Sequence, residues 1–186
     1  MSCDINSGRA YVCKDAIGGI KEVLWVKHSS VDYGAITTGA VSDVDTSPST
    51  GGSITFYRWE LSKNSGSFQQ NVQSSVENGT VYYEQVLTIQ TPKLSAADNA
   101  ELTQVLKNRL SIVVRDNNDN YHVMGYATGA EVTGGNFGTG TGKGDLNGYN
   151  LVFTAEEKVP APFGPDFTNA AVVGAFTATT TISPGY

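Results

Sequence analysis

The sequence predicts a mainly β domain: a β-sandwich or partly closed β-barrel with one flanking α-helix, a long loop and an extended C-terminal arm. Three observations carry this. Short runs rich in β-branched and aromatic residues recur along the chain, most of them alternating with period two. Clusters of Asn, Asp and Gly punctuate them as turns. Only the segment after Ser95 changes to helical spacing. A length of 186 residues fits one domain, with or without arms. The boundaries read as a β-rich domain over residues 1–158, carrying a projecting loop over 29–52, and an arm over 159–186.

Lys21 to His28, KEVLWVKH, is a short strand. Ser53 to Ser62 alternates, with Tyr57, Trp59 and Leu61 on one side and Arg58 and Glu60 on the other. Ile54 and Phe56 fall on the charged side, which points to a bulge midway. Ser67 to Val76 and Val81 to Thr91 flank Glu77-Asn78-Gly79-Thr80, and Asn-Gly predicts a type I′ hairpin turn. Ser95 and Asp98 form a capping box for a helix from Ala96 to Asn108. Leu102, Val105 and Leu106 give it an apolar stripe, and Lys107 and Arg109 sit at its negative end. Leu110 to Arg115 and Tyr121 to Tyr126 are strands joined by Asp116-Asn-Asn-Asp-Asn120, an Asx-rich turn. Ala130 to Thr133 leads into a Gly-rich loop, Gly134 to Gly144. Gly148 to Glu157 is the last strand, with Tyr149, Leu151, Phe153 and Ala155 on one face. This reading gives six to nine strands.

Two segments lack a strong pattern. Ser29 to Gly52 is too long for an ordinary connection, whose median is about 4–6 residues. Val159 to Tyr186 holds Asp166 as its sole charge among apolar residues and Thr. A disordered tail is usually charged or strongly polar, so this arm is expected to order against its own domain or a neighbour.

Charge excludes several function classes. Charged residues are 16% of the chain, against roughly 25% in an ordinary domain. The formal net charge is −6, the wrong sign for a phosphate binder. No apolar run reaches the roughly 18 residues of a membrane helix. Met1 to Ala10 carries Asp4 and Arg9 and no apolar core, so no signal peptide is expected. Cys3 and Cys13 are then expected as free thiols of a reducing cytoplasm, a small Cys3–Cys13 loop being the alternative.

The sequence offers no catalytic, cofactor or metal residues. His28 and His122 lie on separate strands with no second ligand at zinc spacing. In GGNFGTGTGKGDLNG, Gly144 follows Lys143 where a phosphate loop needs Ser or Thr, and Phe137 stands where it needs Gly. A dinucleotide loop would need Gly at Lys143. Asp116-x-Asn118-x-Asn120 begins like a calcium loop, but Tyr121 and Ala127 replace its Gly and Glu. Asn78-Gly-Thr80 matches a glycosylation sequon and is explained by the hairpin. Glu156 and Glu157 are adjacent on a strand and point to opposite faces. The expectation is a protein that is not an enzyme. Low charge and long arms suggest assembly instead.

Gly8-Arg-Ala-Tyr-Val-Cys-Lys-Asp-Ala-Ile-Gly-Gly-Ile-Lys21 leads into the strand Val23 to Val26. Glu77-Asn-Gly79 precedes a long strand, and Gly125 to Gly134 reads GYATGAEVTG. Gly144-Asp-Leu-Asn-Gly-Tyr149 runs into Phe153-Thr-Ala-Glu-Glu-Lys158-Val-Pro-Ala161. In these segments the chain resembles tailed-bacteriophage virion structural proteins of the tail tube, or major tail, family. The resemblance spans roughly residues 8 to 161. It implies a tail-tube-like fold and a subunit that forms stacked homo-hexameric rings, making a hollow conduit for DNA ejection. It implies other tail and neck proteins as partners, genomic DNA that passes without specific binding, and no membrane span. The implied location is the virion tail, assembled in the host bacterial cytoplasm. Ring stacking in such proteins maps by type onto the 29–52 loop and the termini. An acidic or neutral lumen fits the charge, because each Lys or Arg contact to phosphate would retard DNA; Glu84 is the candidate lumen residue. The alternatives are a soluble lectin-like or adhesin module using the Gly134–Gly144 loop, or a neck, terminator or decoration protein of the same virion.

Overall fold

The computed structural model describes residues 8–9, 14–41, 43–46, 53–173, 176 and 179–183. Cys3, Cys13 and most of the N-terminal stretch lie outside these residues. In chain order the elements are β1 (Ile20–Lys27), β2 (Val31–Tyr33), β3 (Ile36–Thr37), β4 (Ala40–Val41), β5 (Val44–Thr46), β6 (Ser53–Glu60), β7 (Gly66–Ser75) and β8 (Thr80–Pro92). There follow α1 (Ala96–Val105), β9 (Leu110–Asp116), β10 (Tyr121–Met124), β11 (Glu131–Gly138), β12 (Gly148–Glu157), β13 (Phe163–Gly164), the single turn α2 (Ala170–Val173) and β14 (Thr179–Ser183). The strands build an eight-stranded sheet, β14-β6-β1-β9-β10-β13-β4-β3, a four-stranded sheet, β11-β12-β8-β7, and a two-stranded ribbon, β2-β5. The fold is mainly β, with a large sheet curled into a half-barrel and one full helix, as the sequence predicts.

The large sheet is covered on both faces. Val23 and Trp25 of β1, Ile112 and Val114 of β9 and Met124 of β10 join Leu87, Ile89, Tyr149, Leu151 and Phe153 of the four-stranded sheet in one core. Leu24, Val26, Val113 and Val123 point the other way, into a second core with Ile54 and Phe56. Strands buried on both faces become near-continuous apolar runs, which is why VLWV and SIVV do not alternate. The same fact corrects the bulge expected in β6. Its pairing with β1 and with β14 runs without a register shift. Ile54 and Phe56 sit in the second core, while Trp59 and Leu61 pack against the first.

The two patternless segments cover that second core. Val31, Tyr33, Val41 and Val44 are buried in it, together with Phe167 and Phe176. The described part of Ser29–Gly52 is therefore not a projecting loop: it folds back as β2 to β5. With β13 and β14 of the arm, these short strands raise the total to fourteen among the described residues, above the expected six to nine. The described part of the C-terminal arm likewise orders on its own chain, where β14 runs parallel to β6 from Thr179↔Ser53 to Ser183↔Tyr57. Each buried aromatic or aliphatic side chain contributes about 1.5–3 kcal/mol, so these segments are integral to stability.

Local chemistry explains the remaining differences. The β7–β8 hairpin closes through a four-residue loop, Val76–Gly79, rather than a type I′ turn. Only Gly79 is left-handed, with φ 62°, and Asn78 N–H donates to the Ser75 hydroxyl at 3.3 Å. Ser95 accepts from Asp98 N–H at 3.0 Å, but Asp98 reaches back only to the Ser95 hydroxyl, at 2.6 Å. The Ser95 N–H donates instead to Tyr149 Oη at 3.2 Å. Helix α1 ends at Val105, short of Asn108, so Lys107 and Arg109 lie beyond its last turn. β10 stops at Met124 because Gly125 turns left-handed at φ 68°; a Cβ there would stand 2.6 Å from Ala130 N. Gly134 to Gly138 are strand, not loop. They form the bulged edge strand β11, leaving Thr139–Asn147 as the connection to β12.

Candidate functional site

The four-stranded sheet is the feature with a functional signature. Period-two alternation sends Leu87, Ile89, Leu151 and Phe153 inward, so the residues between them form an outer face. Across β12, β8 and β7 that face reads Val152↔Thr88↔Ser67, Thr154↔Val86↔Gln69 and Glu156↔Glu84↔Asn71. No Lys or Arg occurs in any of the four strands, although the chain has 12. Lys93, Lys143 and Lys158 lie beyond the strand ends. Glu131, on the β11 edge, pairs with Arg109 at 3.2 Å.

Glu84 and Glu156 are direct cross-strand partners. Like charges in that position oppose strand pairing by a few tenths to about 1 kcal/mol. Asn71 and Gln73 donate to Glu84 Oε2 at 3.4 and 3.3 Å, which orients this carboxylate without neutralising it. The fold has no need of two acids here.

Both margins of this sheet are short of charge, and the β11 margin carries a bulge between Val132 and Gly134. The edge strand β7 carries no charged residue and no Pro along its ten residues, and β11 carries only Glu131. Natural edge strands of that length are normally blocked by Lys, Pro or a cover. The four strands thus present one acidic-to-neutral face between two edges open to further pairing.

Buried polar groups hold the sheet rigidly in place. Tyr149, fully buried, accepts from Ser95 N–H and stands 2.9 Å from Asn99 Oδ1, tying the N-terminus of α1 to β12. Glu157, buried, accepts from Ala127 N–H at 2.9 Å, Thr128 N–H at 2.8 Å and the Thr128 hydroxyl at 3.0 Å. Gln85 accepts from Gly125 N–H at 3.1 Å. Glu156 and Glu157 point to opposite faces, as expected.

His122 stacks between Phe68 and Phe163, with ring centroids 5.8 and 4.8 Å away, and its Nε2 lies 3.7 Å from Asp116. Burial lowers its pKa, against the pull of Asp116. Asp116 is engaged in its own turn, accepting from Asn118 N–H, Asn120 N–H and Asn120 Nδ2 at 2.8, 2.8 and 2.9 Å. Burial pushes the Asp116 carboxyl up, but those hydrogen bonds outweigh it and hold it below the usual range. No nucleophile is hydrogen-bonded to His122 among the described residues. The connection after β11 also turns inward: Asp145 accepts from Thr141 and Gly142 N–H at 2.9 and 2.6 Å. Phe137, at the end of β11 where this connection begins, is exposed.

Of the sequence-derived interface residues, the structure puts Glu84 on the outer face of the small sheet. It removes the described part of 29–52 from the projecting elements. It adds Glu156, whose signal was its parity with Thr154 and Val152, and the uncharged margin of β7. Searches against family models, curated proteins and solved structures gave no match.

Proposed function

We propose that the chain is a structural virion protein, a tail tube subunit whose four-stranded sheets join side by side in stacked rings around a channel for DNA. The observation that carries this reading is the small sheet itself, with open, nearly uncharged edges and an outer face free of Lys and Arg. Edge strands satisfy their backbone groups by pairing with another chain. In a closed ring of identical subunits, β7 of one copy meets β11 of the next, and no edge remains. The outer face then lines the channel. Glu84 and Glu156 repel phosphate, so passing DNA finds no counterion to displace and is not held. The cross-strand repulsion between these two acids is a local cost set against that function.

The test is assembly. Concentrated protein viewed by negative stain is expected to form rings and hollow tubes, and a monomer at every concentration defeats the reading. The variant Gln69→Lys/Gln73→Lys places two charges on the β7 margin. It is expected to remain folded, within about 0.5 kcal/mol as for other surface changes, and to stay monomeric in light scattering.

A further inference from the structure

The overhanging tip of the β7–β8 hairpin and a groove at the opposite end of the subunit have complementary chemistry. Beyond Tyr83↔Glu157, β8 has no β12 partner, and the pairs Gln73↔Tyr82, Ser74↔Val81 and Ser75↔Thr80 stand alone. Val76, at the tip, is 95% exposed, and Val72 and Val81 are exposed beside it. Glu77 follows Val76 and has no ion-pair partner among the described residues. Among the described residues nothing covers these apolar side chains.

The groove lies between α1 and β6. It has a volume of about 400 Å³ and is lined by Trp25, Tyr57, Trp59, Val105 and Leu110. Arg58, Lys27 and Glu101 also line it. Trp25 Nε1 is buried without a hydrogen-bond partner, and Trp25 as a whole is only 2% exposed. Lys27 is exposed and has no ion-pair partner among the described residues.

The tip cannot reach the groove of its own chain. Trp59 and Thr91 line one cavity, and Thr91 stands eleven residues along β8 from Thr80, roughly 35 Å at the strand rise. We infer that the groove receives the β7–β8 hairpin tip of a second copy, with Val76 among the aromatic side chains and Glu77 against Lys27. Because tip and groove lie at opposite ends, the contact is heterologous and repeats from copy to copy without closing. It rests on the proposed tube and supplies the stacking contact between rings, the role expected of the 29–52 loop before the structure folded that loop back.

The chain's two tryptophans, Trp25 and Trp59, both line the groove, so tryptophan emission reports its occupation. As wild-type protein is concentrated, emission is expected to shift to the blue in step with stacking seen by negative stain. Val76→Asp and Glu77→Lys are expected to leave single rings, to raise the concentration needed for stacking about tenfold or more, and to abolish the shift. Lys27→Glu alone is expected to act likewise, and Lys27→Glu combined with Glu77→Lys to restore stacking. Val76 and Glu77 are exposed, so these variants fold. Stacking by Val76→Asp at the wild-type concentration, or tubes with unmoved emission, overturns the hairpin-in-groove contact while the tube reading stands. Absence of both rings and stacks in the wild type overturns both.

Discussion

Glu84 on β8 and Glu156 on β12 face each other directly across an antiparallel pair, on a sheet with no basic residue in its strands. A stability-driven sequence would place an opposite charge or a Thr pair there. Glu156→Gln is therefore expected to raise the urea midpoint slightly, by a few tenths to about 1 kcal/mol. Glu84→Lys/Glu156→Lys is expected to convert an inert face into one that retains DNA. Its affinity should fall steeply with salt, with a slope that grows by about 0.9 per phosphate contact. Filter binding across a salt series measures this, and no gain in retention would argue against the charge logic of the channel.

The hydroxyl of Tyr149 joins α1 to β12 by accepting from Ser95 N–H and bonding Asn99 or the Ser95 carbonyl. Tyr149→Phe keeps the ring in the core and strands those partners. An expected loss of about 0.5–1.5 kcal/mol follows from removing hydrogen bonds to partly buried partners, read from urea denaturation. Amide exchange is expected to rise at the N-terminus of α1 before it rises in β12.

Phe167 lies beyond the end of β12 yet is 2% exposed, packed on Phe56 and Tyr121 with ring centroids 5.1 and 5.8 Å away. Phe167→Ala is expected to destabilise the monomer by about 3–5 kcal/mol, as for other buried Phe truncations. A dispensable arm would show no change in thermal midpoint.

Acid sensitivity follows from two groups. His122 has a folded pKa below its ordinary 6.5 because burial disfavours its charge. The unfolded chain then takes up the proton first, so stability is lost as pH falls below about 6.5. Asp116 is also held below its ordinary value, its hydrogen bonds from Asn120 and Asn118 prevailing over burial. Its contribution is present above about 3.8 and is lost as pH falls through the folded value. Denaturant midpoints from pH 8 to 3 should decline in two stages, and His122→Gln should flatten the first.

How much was legible in the sequence depended on how local the deciding interaction is. Alternation placed Tyr149, Leu151, Phe153 and Ala155 on one face of β12, because one side of that strand is buried. The Ser95 cap and the Asx turn from Asp116 to Asn120 needed only residues within a few positions of one another. Alternation failed for Ile54 and Phe56, because a sheet covered on both faces leaves no polar side to read. It failed again for Val31, Tyr33, Val41 and Val44, whose partners Val113 and Phe167 are distant in sequence.

By itself the sequence determined a β-rich chain with one capped helix and a shortage of charge, since these are properties of composition and short-range spacing. Only the tertiary structure decided where the shortage lies. Long-range strand pairing gathers β7, β8, β11 and β12 into one sheet without a basic residue, sets Glu84 against Glu156, and leaves the hairpin tip and the Trp25–Trp59 groove at opposite ends. Residues so far apart in the chain acquire a common face only when backbone hydrogen bonds fix the register between their strands.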